Sequence, residues 1–329
     1  MFLNSRTKPK ELKFYEALNR RCRLSQEEER KLAVLRKGYE GEREYDSVFD
    51  EAGHENLLIY RDVWMKIEDA TLQIDALIIT ENSLIVNEIK NYSGFYSFDN
   101  DGWMIRDVQI SADPLAQASR TGNKLLKLRY LLQQNFSRQF KVIFVNPDFN
   151  LEAAPGYDRN IIKRSTLRHY MKNLNKMYAG PQAYEMSEQI KEFFIDDPMI
   201  LPEIDINRIR LGNYCFNCGS FSLEMRKFYA VCRACGSKET LEKMFVRGLM
   251  DYSFIFWNEP MTSSKIGTFL MDSLKPRTIR RMMNTYCHKS GNSRSTSYKI
   301  KNTELEKLLL DNNYTSKYET DIRFKKVKL

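Results

Sequence analysis

No stretch of this 329-residue chain approaches eighteen consecutive apolar residues, which excludes a membrane-spanning helix on length alone. The opening MFLNSRTKPKELKF is too polar for a secretory signal, so a cytoplasmic address with no membrane partner is expected. There is no internal repeat and no low-complexity tract, and with them solenoids and compositionally biased tails drop out. Cysteine is scarce outside one cluster: Cys22 and Cys287 stand alone and read as ordinary buried thiols. What is present is a soluble composition, 29% charged and 42% hydrophobic, on a chain long enough for two or three domains.

The net charge of +9 is unevenly spread. Residues 1–37 carry 11 Lys and Arg against 5 Asp and Glu, residues 38–200 carry 18 against 25, and residues 201–329 carry 23 against 13. An acidic middle suits a cation site, and basic flanks suit a polyanion. Lysines that merely solvate helix faces account for the N-terminal excess equally well.

Residues 72–94, LQIDALIITENSLIVNEIKNYSG, read as a β-hairpin turning at Glu81-Asn82-Ser83. Alternate side chains of a strand share a face, so Glu88 and Lys90 point the same way, with Ile89 opposite. Folding about residues 81–83 brings Asp75 level with or just beside Glu88. Charges among aliphatic residues lose hydration and require partners or a cation. Carboxylate oxygens bind a hard divalent ion, which lowers the pKa of a bound water and offsets charge in phosphodiester hydrolysis. A salt bridge on a half-exposed sheet accounts for the same letters.

Upstream of the hairpin lies Gly38-Tyr39-Glu40-Gly41-Glu42 on a predicted helix; downstream come Asn91-Tyr92-Ser93-Gly94 and then Asp113-Pro114-Leu115-Ala116-Gln117 opening another. Together, over roughly residues 36–150, these resemble the nuclease-related domain (NERD) family, a branch of the PD-(D/E)xK nuclease-like superfamily. The resemblance implies that Glu42 is the helix acid, Asp75 and Glu88 are metal-binding acids, Lys90 is the catalytic lysine and Gln117 is a polar residue steadying the site. It implies Mg²⁺ or Mn²⁺ held by the three acids with help from the Ile89 carbonyl. DNA is expected as substrate ahead of RNA, in repair or in defence against foreign DNA. Since some nucleases of the superfamily cut as dimers, a homodimer enters as an expectation.

The remaining chain supplies the frame. Helices are expected over 9–21 and from Ser25 to about Phe49, where interior Gly38 and Gly41 suit close approach to the sheet. Further elements are a strand at 57–67, a hairpin about Asn100-Asp101-Gly102, a helix from Pro114 to about Asn135 and a strand at 141–146. The fold class is α/β, a restriction-endonuclease-like mixed sheet flanked by helices. Cys215-x-x-Cys218-Gly219 and Cys232-x-x-Cys235-Gly236 form paired knuckles of a four-cysteine zinc ribbon, with two disulfides as the competing account. Such a site is closed, so this Zn²⁺ is structural.

Beyond it, a short helix at 262–271, a helix from Pro276 to Tyr286 and a basic hairpin with its tip at Gly291-Asn292 have the layout of a winged helix-turn-helix module. Arg277, Arg280 and Arg281 on the presumed recognition helix, with Lys289 and Arg294 on the wing, are its nucleic-acid contacts. A small structural helix pair is the plainer account. A closing helix is expected at 303–312. The expected domains are an N-terminal helical extension (1–37), the nuclease-like domain (38–200), the zinc ribbon (210–238) and the winged-helix-like module (239–329). The leading function is a metal-dependent DNA endonuclease; the alternative is a non-catalytic DNA-binding or regulatory protein with the nuclease fold as scaffold.

Overall fold

The computed structural model describes residues 1–301, 305 and 309, apart from 100–101, 106–107, 111–112, 155, 272 and 293–295. Two helices come first, α1 (Lys10–Arg21) and α2 (Gln26–Ala52). Ser25 starts α2 as a capping box: its hydroxyl accepts the Glu28 N–H at 3.2 Å and the Glu28 carboxylate accepts the Ser25 N–H at 2.8 Å. Backbone contacts divide the chain into two compact units, Met1–Pro9 with Arg30–Met199 and Lys10–Glu29 with Ile200–Leu329. The stretch expected as one N-terminal extension is therefore shared between them.

The first unit continues through β1 (Leu58–Ile67), β2 (Ala70–Thr80), β3 (Ser83–Lys90), β4 (Gly94–Asp99), β5 (Gly102–Ile105) and β6 (Val108–Gln109). Then come α3 (Pro114–Leu125), α4 (Lys127–Leu131), β7 (Ser137–Phe144), β8 (Phe149–Ala153) and β9 (Ile161–Lys163). It closes with α5 (Arg164–Leu174), α6 (Pro181–Ile190) and β10 (Phe194–Ile195). The main sheet has the order β10-β1-β2-β3-β7-β9, antiparallel as far as β3 and parallel from β3 onward. A smaller sheet has the order β6-β5-β4-β8.

Strand alternation sorts the core into two faces. Leu58, Tyr60, Leu77, Ile79, Leu84 and Val86 cluster with Leu125, Leu128, Met186 and Ile190 from α3, α4 and α6. Their neighbours Ile59, Ala76, Ile78 and Ile85 cluster with Tyr45, Phe49, Leu167 and Met171 from α2 and α5. A mixed α/β sheet covered by helices on both faces is the expected fold class, since near-continuous aliphatic strands must be buried from both sides.

Two local expectations are corrected. The helix from Pro114 does not run to Asn135: it breaks at Leu126 and ends at Leu131, and Gln133 then takes a left-handed φ of 53° that turns the chain away. The two α2 glycines also differ. A Cβ on Gly41 would stand 2.6 Å from Asn91 Cβ and 3.2 Å from Val145 Cγ2, so Gly41 does permit close approach to the sheet, whereas Gly38 has nothing within 4 Å.

The second unit holds β11 (Leu223–Met225), β12 (Tyr229–Cys232) and β13 (Lys238–Thr240) as a three-stranded sheet. After it come α7 (Leu241–Ile255), α8 (Ser263–Phe269), α9 (Pro276–Tyr286) and the hairpin of β14 (Cys287–Ser290) with β15 (Ser297–Ile300). Helix, turn, helix and hairpin follow in the expected order. α1 packs on α7, where the buried Arg21 guanidinium binds Asp251 at 2.9 Å and the Gly212 carbonyl at 3.0 Å. The closing helix expected at 303–312 lies, but for two residues, outside the described residues.

The glycine contrast is testable by thermal melting. Gly41→Ala should destabilise by about 1–3 kcal/mol, as overpacking does. Gly38→Ala should stabilise by up to about 1 kcal/mol, because it adds helix propensity in open space.

Candidate active site

The β2–β3 ladder ends with the pair Ala76 and Asn87. One step beyond, the Asp75 side chain takes over: its Oδ2 accepts the Ile89 N–H at 2.7 Å. The period of two puts Glu88 and Lys90 together on β3, and Lys90 Nζ donates to Glu88 Oε1 at 2.7 Å and to Gln117 Oε1 at 3.3 Å. Gln117 is held on the first turn of α3, whose start is capped by Asp113, which accepts the Leu115 and Ala116 N–H groups at 2.8 and 3.0 Å. The structure thus links Asp75, Ile89, Glu88, Lys90 and Gln117.

Glu42 joins through a residue the sequence did not single out. Arg6 Nη1 donates to Glu42 Oε2 at 2.7 Å, while its Nε and Nη2 donate to the two oxygens of Asp46 at 2.8 and 3.1 Å. Its Nη2 also reaches the Asp75 carbonyl at 3.3 Å. Asp46 had a faint signal, lying one helical turn beyond Glu42. Arg6 had none, because nothing local ties it to residues 42, 46 and 75. Behind the acids, fully buried Asn87 donates to Tyr45 Oη at 2.7 Å and accepts from Tyr170 Oη at 2.8 Å, clasping α2 and α5 to β3.

Burial and mutual repulsion dominate the electrostatics. Desolvation, then the neighbouring Asp75, push Glu42 up to about 8 and Glu88 up to about 7. Burial raises Asp75 as well, against the opposing pull of Lys90 and the Ile89 N–H. Burial pulls the Lys90 ammonium down, but Glu88 and Asp75 outweigh it and leave its pKa above the ordinary value.

A divalent cation is the group these residues would accommodate. Each of the three carboxylates has one oxygen in a protein hydrogen bond and a second, Oε1 of Glu42, Oδ1 of Asp75 and Oε2 of Glu88, that accepts none among the described residues. Hard oxygens and concentrated negative charge suit a divalent cation. Glu42, Asp75 and Glu88 are not drawn as tight as a closed ligand shell. Among the described residues, the group of three or more such side chains whose donor atoms all lie within 4.8 Å of one another is Cys215, Cys218, Cys232 and Cys235.

That quartet has the dimensions of a zinc site. The Sγ atoms of Cys215 and Cys235, and of Cys218 and Cys232, are 3.6 Å apart, far beyond a disulfide bond and near the edge of roughly 3.8 Å expected for a tetrahedron with Zn–S of about 2.3 Å. The two knuckles match: Gly219 N–H bonds the Cys215 carbonyl at 3.0 Å and Gly236 N–H bonds the Cys232 carbonyl at 2.9 Å. Both glycines take the left-handed φ that this turn requires, 71° and 73°. In α9, Ile279, Met282, Met283 and Tyr286 face inward, leaving Arg277, Arg280 and Arg281 exposed on the other side, with Lys289 exposed on β14. Arg294 lies outside the described residues.

Two outcomes follow from these sites. Carboxylates whose folded pKa is raised hold protons the unfolded chain has released, so their contribution to stability is lost as pH climbs through the range of about 7 to 8. The melting temperature without added Mg²⁺ should fall between about pH 5 and about pH 8, recover on adding Mg²⁺, and fall less in Asp75→Asn. Elemental analysis should find about one zinc per chain, lost in Cys232→Ala together with the fold of the three-stranded sheet as read by hydrogen exchange.

Among the described residues no helix is long and apolar enough to cross a membrane. No curated protein and no solved structure matches the chain. A family model does match, and its boundaries enclose Glu42, Asp75, Glu88, Lys90 and Gln117 together. Residues 37–146 of this chain match the family model of the nuclease-related domain.

Proposed function

We propose that the chain is a metal-dependent nuclease that hydrolyses phosphodiester bonds in DNA, with the second unit contributing contacts to the nucleic acid. One observation carries this reading: Lys90 is clasped between Glu88 and Gln117 at the point where Asp75 replaces the sheet ladder. Asp75 and Glu88, with Glu42 and the Ile89 carbonyl, would hold Mg²⁺ or Mn²⁺. When bound, such an ion supplies Lewis-acid stabilisation of phosphoryl oxygens and a more acidic water.

The protein's own groups orient the rest. Lys90, with a side chain 20% exposed, keeps one side open to solvent while Glu88 and Gln117 fix its ammonium. From there it can donate to a phosphate oxygen or to the attacking water. Asp75 cannot swing freely, since the Ile89 N–H holds one of its oxygens. The exposed arginines of α9 are suited to phosphate contacts, which place a duplex without reading it. A homodimer, a cytoplasmic address and a role in repair or defence against foreign DNA belong to the same proposal.

A second reading has its own support. The bond from Arg6 to Glu42 provides a counter-charge without an ion, as a retained scaffold would have, and leaves DNA binding to the second unit. Plasmid cleavage with Mg²⁺ or Mn²⁺, against EDTA, separates the two. Cleavage that Asp75→Ala and Lys90→Ala each reduce by about 100-fold or more is expected. DNA binding with no cutting under any divalent ion would establish the scaffold.

A further inference from the structure

Residues 2–6 form an arm along β1. Phe2 bridges Ile59, Leu3 N–H bonds the Ile59 carbonyl at 2.8 Å, and the Asn4 amide exchanges two bonds with the Arg61 backbone at 2.7 and 2.8 Å. The Arg61 guanidinium lies 3.8 Å over the Phe2 ring and also binds Asp46 at 3.0 Å. The arm ends by delivering Arg6, whose side chain is 3% exposed, into the acid cluster. Arg6 lies outside the matched stretch 37–146.

We propose that Arg6 is a positioning residue of the carboxylate site, setting Glu42 against Asp75 so that one Glu42 oxygen stays available to a divalent cation. This rests on the cation-site part of the nuclease reading. The geometry distinguishes it from an incidental ion pair. One guanidinium spans two elements, binding both oxygens of Asp46 and one of Glu42 on α2 and the Asp75 carbonyl on β2. Asp46 takes the bidentate side of the fork and so fixes the direction in which Nη1 meets Glu42. Being buried, Arg6 is not placed to bind a substrate phosphate. A lysine, a compact point charge, could not reproduce the bidentate fork on Asp46 while reaching Glu42 and the Asp75 carbonyl.

The test is Mn²⁺ binding to the zinc-loaded full chain, followed by electron paramagnetic resonance at temperatures well below melting. The intact chain should bind Mn²⁺ and Asp75→Asn should not. Arg6→Ala and Arg6→Lys should both weaken Mn²⁺ binding by about tenfold or more, the loss typical of a group that orients a metal ligand. A lower melting temperature with unchanged Mn²⁺ affinity would mean that Arg6 is merely structural. Tighter Mn²⁺ binding in Arg6→Ala would mean that the guanidinium competes with the ion, and the proposal would fall. Arginine-dependent Mn²⁺ binding without DNA cleavage would remove the nuclease reading and leave this one standing. Cleavage with unaltered affinity in both Arg6 variants would do the reverse, and no Mn²⁺ uptake by the intact chain would overturn both.

Discussion

Three carboxylates crowded into a region largely removed from water repel one another, and the first unit is built to hold them there regardless. Ionising Glu42 or Glu88 is resisted by burial and by Asp75, so the site tolerates full charge only with positive charge at hand. Arg6 and Lys90 provide it from separate elements, one on the arm and one on β3. The remaining features keep this arrangement from relaxing. Gly41 lets α2 approach Asn91 and Val145, Asn87 ties Tyr45 and Tyr170 to the sheet, and Asp113 fixes the turn of α3 that bears Gln117.

The parts of this site visible in the sequence are those set by local rules. Glu88 and Lys90 share a face because a strand alternates, and Asp75 meets β3 because the turn at Glu81-Asn82 sets the hairpin register. Gln117 follows from a proline at the start of a capped helix. Arg6 was not legible because its partners are 36, 40 and 69 residues away, and no local spacing encodes such a contact. Nor could the sequence tell Gly38 from Gly41: only the packed neighbour at Asn91 separates them. The early end of the helix after Leu131 was hidden for a similar reason, since Gln133 is not a residue type that announces a left-handed turn.

In the second unit the legible element was again the one with fixed spacing. Two matched C-x-x-C-G turns fold the same way, the carbonyl of the first cysteine in each accepting from the glycine that ends it. The buried charges of this unit had no such signature. Arg21 from α1 binds Asp251 of α7, and Arg247 of the same helix binds Glu239 and the Tyr214 carbonyl. Removing one member of such a pair leaves the other charged and dehydrated, which makes these arginines fixed points of the core despite their polarity.

The sheet changes character at β3. Pairing with β7 is parallel and continuous from Ser83 to Lys90, while pairing with β2 stops at Asn87. Over its last residues β3 is therefore clamped along one edge and released along the other. Main-chain polar groups on a released edge cannot be left idle inside a protein, so they must turn to side chains or to whatever enters from outside. The Ile89 amide has already turned to Asp75. A frayed seam between two strands thus becomes a socket, where a backbone donor freed from the ladder decides where a carboxylate is seated.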